Sequence, residues 1–327
     1  MIVFGPVPSR RLGRSLGVNN IPPKLCSYSC AYCQVGRTRR LLVERRAFYE
    51  PRDILAEARV RLNFLRAAGE KVDYLSFVPD GEPTLDSRLG LSIEMLKTLE
   101  VPVAVITNAS LIDSGEVRRE LALADWVSLK LDAASERPWR RVNRPHRCLR
   151  LSALLEGMLA FAAVFPGRLV TETMLVAGVN DAPEQLSETA SFLRRLRPAV
   201  AYLSTPIRPP AESWVTVPEP GVVMQAYQLF AGRGLAVELL TGSEGDDFSG
   251  SDRAAEDLLA IVAVHPMRRQ AVEAFLSKSG AGWSVVRTLL DQGRLVETEY
   301  QGDTFYMRRF PRREPDGNGR SCVSVEG

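Results

Sequence analysis

At 327 residues with 45% hydrophobic side chains, the chain is long enough to bury one large core and leave room for a small second domain. Its net charge of +3 decides nothing as a total, but no apolar run approaches the ~20 residues that a membrane-spanning helix needs. No repeat of solenoid period is present either, so a helical membrane protein and a repeat array are both excluded.

The charge is unevenly spread. Residues 1–50 carry Arg10, Arg11, Arg14, Lys24, Arg37, Arg39, Arg40, Arg45 and Arg46 against only Glu44 and Glu50. Such a segment suits an anionic partner, whether nucleic acid, a phosphorylated substrate or a carboxylate, or it is simply a solvated surface.

In chain order, a short strand near Leu16–Val18 leads into Cys26, Cys30 and Cys33, spaced C-x3-C-x2-C with Tyr32 before the last. Three thiolates are one short of the four that a [4Fe-4S] cluster normally takes, so a cluster here leaves one iron open to an outside ligand. Zinc would want a fourth S or N ligand at motif spacing, and the two histidines, His146 and His265, are remote. Inert buried thiols are the other alternative, but Ser27, Tyr28 and Ser29 make the loop polar. Cys148 and Cys322 look incidental. Unpaired cysteines and the lack of a signal-peptide pattern point to the reducing cytoplasm.

Helix and strand patterns then alternate. Ile54, Ala58, Leu62 and Leu65 share one face of a helix over 52–68, with Pro51 at its start and Gly69 at its end. Strands are predicted at Tyr74–Val78, Val103–Ile106, Trp126–Leu131, Leu169–Val176 and Ala201–Ile207, separated by helices near 86–99, 114–124, 150–164 and 183–197. A helix near Val222–Phe230 and a strand near Leu235–Leu240 follow. Connections of this length imply right-handed parallel crossovers, about six units in all, fewer than the eight of a closed barrel.

Ser243–Asp252 reads as a polar, Gly-rich linker that implies few contacts across it. Helical patterns at 253–263, 267–278 and 281–292 and a hairpin over Arg294–Glu299 and Thr304–Arg308 resemble a winged helix. Eleven cationic and eleven acidic residues from Gly250 onward balance, so phosphate binding is not that module's default and a lid or docking role is at least as fitting. Residues 311–327 read as a disordered tail.

Several strand ends carry polar groups. Asp80-Gly81-Glu82-Pro83 follows the strand ending at Val78, and Thr107-Asn108 follows the next. In Trp126–Asp132 the alternation is strict: Val127, Leu129 and Leu131 point one way, Ser128, Lys130 and Asp132 the other. A strand covered on both sides should be apolar on both faces, so its inner side must meet water, ligand or ion pairs. Lys130, one of five lysines, either serves a ligand or pairs with Asp132 or Glu172. Arg141-Val142-Asn143-Arg144-Pro145-His146 reads as a basic loop and a candidate substrate contact.

The run Lys24-Leu25-Cys26-Ser27-Tyr28-Ser29-Cys30-Ala31-Tyr32-Cys33 resembles the signature of the radical S-adenosylmethionine (radical SAM) superfamily. The resemblance implies an open partial (β/α)6 TIM barrel, here over residues 1–242, while the linker at 243–252 and the winged-helix-like domain at 253–310 are read from the residue patterns above. It also implies a [4Fe-4S] cluster on Cys26, Cys30 and Cys33 whose open iron holds SAM, which an electron cleaves to a 5'-deoxyadenosyl radical. An external donor such as a flavodoxin or ferredoxin would supply that electron.

Asp80-Gly81-Glu82-Pro83 resembles the superfamily's Gly-Gly-Glu motif, with Gly81 allowing close backbone approach and the Glu82 carboxylate meeting the SAM ammonium. By the same resemblance Tyr32 lies near the adenine and Ser128, Lys130 and Asp132 on the strand that contacts the ribose, while the amide of Asn108, at a strand end, could bind the methionine carboxylate or ribose. Gly178-Val179-Asn180-Asp181 resembles turns near the adenine and adds Asn180.

Phe4–Asn19 together with Cys33-Gln34-Val35-Gly36-Arg37-Thr38 resembles a branch grouped with the wyosine-type tRNA synthases, but no cysteine precedes Cys26 to build their second cluster. Wyosine synthesis is therefore not carried over. An RNA base or other anionic substrate, tRNA included, is the leading expectation. A protein or peptide substrate and a non-enzymatic metal-binding regulator remain as alternatives.

Overall fold

The structure is a computed structural model that describes residues 2–242, Phe248 and residues 253–309. Phe248 apart, the linker expected at 243–252, the tail expected at 311–327 and Cys322 lie outside the described residues.

The chain opens with a hairpin of β1 (Val3–Ser9) and β2 (Gly13–Val18), paired antiparallel from Val3 opposite Val18 to Ser9 opposite Gly13. The sequence reading did not find β1. Pro6 and Pro8 remove ladder donors, which confines such a segment to a sheet edge and erases its strand signature. The cysteine segment follows as an irregular loop bracketed by two short parallel strands, β3 (Leu25–Cys26) and β4 (Arg40–Leu41).

Then come α1 (Pro51–Ala67), β5 (Tyr74–Phe77), α2 (Leu89–Lys97), β6 (Val103–Thr107), α3 (Gly115–Leu121), β7 (Trp126–Lys130), α4 (Glu136–Asn143), α5 (Leu151–Ala162), β8 (Arg168–Met174), α6 (Pro183–Leu196), β9 (Val200–Ser204), α7 (Pro220–Ala231) and β10 (Val237–Leu240). Every strand and helix expected between residues 52 and 240 is present. Two expected strands end earlier than read, at Met174 and Ser204, because the backbone turns before Val176 and at Pro206.

Among the described residues eight strands form one sheet in the order β1-β2-β5-β6-β7-β8-β9-β10, parallel from β2 onward. The helices cover its outer face. There Leu16, Leu75, Phe77, Val103, Val105, Val127 and Leu129 pack against the stripe Ile54, Ala58, Leu62 and Leu65 of α1 and its counterparts on the other helices. Each such buried side chain contributes about 1.5–3 kcal/mol. On the inner face Leu12, Ala104, Trp126, Val170, Val200, Tyr202 and Leu240 form an apolar floor. Above that floor the inner positions turn polar, at Ser15, Ser76, Lys130, Glu172 and Ser204.

The C-terminal residues add α8 (Ala254–Val264), β11 (Met267–Arg268), α9 (Arg269–Lys278), α10 (Ser284–Asp291), β12 (Leu295–Tyr300) and β13 (Asp303–Arg308), with a sheet in the order β11-β13-β12. They hold a core of their own around Leu258, Ile261, Val272, Phe275, Val286 and Tyr306.

The expectation of few contacts across the boundary is overturned. α8 packs against β1, and Val7 joins the C-terminal core. Gln34 Nε2 donates to the Val264 carbonyl (2.7 Å), and Tyr300 Oη donates to the Pro206 carbonyl (2.7 Å). Composition reported the polarity of the connecting residues but not the surfaces that they join.

Candidate active site

The cysteine loop is pinned from three sides. Lys24, with φ of +64°, turns its Nζ back onto the carbonyls of Val35 (2.5 Å) and Gly36 (2.6 Å), closing the loop behind Cys33. The backbone N–H groups of Ala31 and Ser29 donate to the carbonyls of Val142 (2.8 Å) and Asn143 (3.1 Å) at the end of α4. The third anchor is Glu212, whose backbone N–H donates to the Ala31 carbonyl (3.1 Å). Its carboxylate accepts from Arg37 Nε (2.7 Å) and Arg144 Nη1 (2.5 Å).

The basic loop expected over 141–146 is thus mostly the C-terminal end of a helix. Arg144 occupies its left-handed cap and reaches the Ser29 carbonyl (2.5 Å), so it supports the cysteine loop.

Cys26, Cys30 and Cys33 are half-buried and not disulfide-bonded. Desolvation, then neighbouring Cys30 and Glu82, push the Cys26 thiol far up; desolvation and the Asp132 carboxylate push Cys30 up to about 12. A thiolate set in acidic surroundings calls for positive charge, and iron would supply it, so the donor set fits a cluster.

Glu82 lies buried where the ends of β5 and β6 meet. It is 1% exposed, and its Oε1 accepts from Thr84 N (3.0 Å), Thr84 Oγ1 (2.6 Å) and Thr107 Oγ1 (2.6 Å), while Oε2 accepts from Asn108 N (2.8 Å). Burial raises its pKa and these donors oppose the rise. The carboxylate therefore ties the end of β5 to the end of β6. Gly81 likewise admits the chain itself: a Cβ there would stand 1.9 Å from the Leu25 carbonyl oxygen.

Glu82→Ala is accordingly expected to cost several kcal/mol, since each stranded buried donor costs about 1–3. It should also lower iron content, because Asn108 reaches Cys26. Full stability in a thermal melt together with full iron would refute this role.

The Asn108 carboxamide donates to Ser27 Oγ (3.0 Å) and toward Cys26 Sγ (3.4 Å). Asn143, read in the sequence only as part of a basic loop, donates to Asp132 Oδ2 (2.6 Å) and toward Cys30 Sγ (3.5 Å). Asn180 is buried in its own turn, donating to the carbonyls of Asp132 and Met174 (both 2.7 Å) and accepting from Val176 N (2.8 Å).

Register sets Lys130 opposite Glu172, and their side chains pair at 2.8 Å, with Asp132 Oδ1 at 3.8 Å from the same ammonium. Arg11 closes on the other side of Glu172, and Ser204 Oγ donates to it (3.0 Å). Burial works against both charges, but the pairing outweighs it: Lys130 is raised, and Glu172 is held well below the usual carboxylate range. The Lys130 ammonium stands 4.9 Å from the Tyr32 ring centroid, and Tyr32 Oη donates to Asp132 Oδ2 (2.5 Å). Ser128 is buried on the same strand.

This network borders a cavity of about 310 Å³ that reaches from Ser15 and Ser76 to Cys33, and Val264 and His265 close one side of it. The inner-face polarity read in β7 is thus ion pairing around a cavity, as one of the readings left open had it.

A family model described as the radical SAM superfamily matches residues 20–193. The chain is 45% identical over 316 residues to a UPF0026 protein of Methanocaldococcus jannaschii, covering 96% of this chain and 98% of that protein. Among solved structures it resembles a radical SAM methyltransferase from Sphaerobacter thermophilus, with TM-score 0.53 and 17% identity over 69% of this chain and 66% of that one. It also resembles TYW1 with a lysine-pyruvate adduct bound, with TM-score 0.50 and 15% identity over 67% and 73% of the two chains. Members of the matched superfamily use a [4Fe-4S] cluster and S-adenosylmethionine, and the cysteine loop and parallel sheet described above lie within or around the matched residues. The chain belongs to the radical SAM superfamily and is a radical SAM enzyme.

Proposed function

We propose that this enzyme modifies an RNA base, or another anionic substrate, from a partial (β/α)6 barrel whose open side is covered by a winged-helix-like C-terminal module. Cys26, Cys30 and Cys33 would hold the cluster, and SAM would lie against the polar inner face between Tyr32 and Ser76. When bound, the cluster and SAM supply a 5'-deoxyadenosyl radical. The protein's part is to fix the cysteine loop through Lys24 and Glu212, to keep water from the cavity with Val264, and to hold the Lys130–Glu172 charges neutralised. An external flavodoxin- or ferredoxin-type donor in the cytoplasm completes the reading.

The observation that carries the substrate class is the rim beside the cysteine loop. Arg37 is exposed there, and Arg141 stacks over the ring of Trp214 (5.6 Å), a residue that is 43% exposed. Rigid aromatic faces among guanidinium groups bind single-stranded nucleic acid by stacking and phosphate contact. A peptide substrate is the second reading, favoured by the charge-neutral module seated on the cavity. The lysine-pyruvate adduct of TYW1 is not transferred, because Lys130 is held protonated by Glu172 and Asp132.

Reduced enzyme should cleave SAM slowly by itself, and faster with RNA from a strain lacking the gene. Trp214→Ala should raise the KM for that RNA severalfold and leave unstimulated cleavage unchanged. Stimulation by a protein fraction and not by RNA would favour the peptide reading; no cleavage under any condition would refute the activity.

A further inference from the structure

Two carboxamides flank the cysteine loop, and the orientation of each is fixed by its partners. Asn108 Oδ1 accepts from the Ser110 N–H (2.9 Å), which leaves its Nδ2 to face Cys26 Sγ at 3.4 Å. Asn143 Nδ2 donates to Asp132 Oδ2 (2.6 Å), an acceptor only, and the same nitrogen stands 3.5 Å from Cys30 Sγ. A flipped amide would set oxygen against oxygen at Asp132 and oxygen against the thiolate sulfur, so neither orientation is ambiguous.

Both donors are held by structure unrelated to the sulfurs. The Asn108 backbone N–H is anchored to Glu82 Oε2 (2.8 Å). Asn143 is 2% exposed and ends α4 where it meets the cysteine loop. They come from different elements, the turn after β6 and the end of α4, and reach different cysteines.

We propose that Asn108 and Asn143 donate hydrogen bonds to the Cys26 and Cys30 thiolates and thereby raise the reduction potential of the bound cluster. The inference rests on the assignment of the three cysteines as cluster ligands. One electron from an external donor makes the cluster more negative by one charge, and that charge spreads onto the thiolates. An N–H dipole aimed at a thiolate stabilises the reduced form more than the oxidised form, so hydrogen bonds to the sulfurs raise the potential. The donors matter here because the carboxylates that anchor the two asparagines, Glu82 at the Asn108 N–H and Asp132 at the Asn143 carboxamide, set negative charge beside the cysteine loop, which opposes reduction. Asn143 stands between one of these carboxylates and its sulfur, donating to both.

The test uses full-length protein reconstituted anaerobically, without SAM, as wild type and as Asn108→Leu, Asn143→Leu, Asn108→Ser and Asn143→Ser. Dithionite-poised titrations followed by electron paramagnetic resonance give the potential, and resonance Raman spectra in H2O and D2O report N–H···S bonding directly. Each Leu variant should lower the ratio of reduced to oxidised cluster about tenfold at a fixed poise, equivalent to about 59 mV for a one-electron couple. Each should also lose part of the D2O shift in the Fe–S(Cys) bands.

Leu variants with full iron and wild-type potentials overturn the proposal. If a Leu variant fails to take up iron, the smaller Ser variants and the wild-type D2O shift decide, and a wild type with no D2O shift overturns it. Failure of the underlying assignment looks different: Cys26→Ala or Cys30→Ala would then keep the wild-type iron content.

Discussion

A chain ended at Gly242 should lose its cluster within minutes of exposure to air and melt well below the full-length protein, although its secondary structure should persist. The core between the sheet and α1–α7 is complete before that point, and so is the inner apolar floor, which ends with Leu240. What goes is the cover. Val264 and His265 leave the cavity wall, and Arg208 loses its 2.9 Å contact with His265 Nε2. Gln34, next to Cys33, loses the Val264 carbonyl, and Arg61 loses Asp257. Val7 comes into water along with the face of β1 that α8 covers; one such side chain accounts for about 1.5–3 kcal/mol. Iron retention and the melting temperature measure the effect, and adding residues 248–309 in trans should partly restore both. A truncated chain matching the full-length protein in both would mean that the module only perches on the sheet domain.

Where the sequence was legible, local periodicity coincided with burial. Ile54, Ala58, Leu62 and Leu65 recur at helical spacing and are all buried in α1. The alternation in β7 separated Val127 and Leu129, in the outer core, from Lys130 on the cavity, and register alone then brought Lys130 to Glu172. The failures have physical causes as well. α4 has one turn of apolar signal, Trp139 and Val142, among arginines and a proline, so it read as a loop. Asn143 has no motif around it; its importance comes from the meeting of α4 with residues 29–31, more than a hundred positions away in the chain.

Glu82 shows a different limit. The turn that contains it was found from its place after β5, but whether its carboxylate faces a ligand or its own backbone depends on Thr84, Thr107 and Asn108 converging on it. A motif gives position, whereas the partners that satisfy a buried carboxylate are set by neighbouring strands. Docking of the C-terminal module was invisible for the same reason, since its hydrogen bonds join residues as far apart as Gln34 and Val264.

Lys130→Met should destabilise the fold by about 3–5 kcal/mol, the cost typical of stranding one partner of a buried ion pair. Lys130 and Glu172 are 16% and 11% exposed at their side chains, so solvent does little to screen the loss. Arg11 remains beside Glu172, but Asp132, whose side chain is fully buried, loses its nearby ammonium, and Tyr32 loses the cation over its ring. The double variant Lys130→Met/Glu172→Gln should recover most of the loss, because the neutral amide still offers an oxygen to Arg11 and Ser204. The pH dependence gives a second signature. Glu172 is depressed in the folded protein by Lys130 and Arg11, so its stabilising contribution is complete above the ordinary carboxylate value of 4.5 and is lost as pH falls through the lower folded value. The single variant holds Glu172 less depressed, so its deficit against wild type should be full at neutral pH and shrink once the pH drops below about 4.5. Equal melting of wild type and Lys130→Met at pH 7, or a deficit that widens in acid, would show that this pair is not what keeps the polar inner face of the sheet folded.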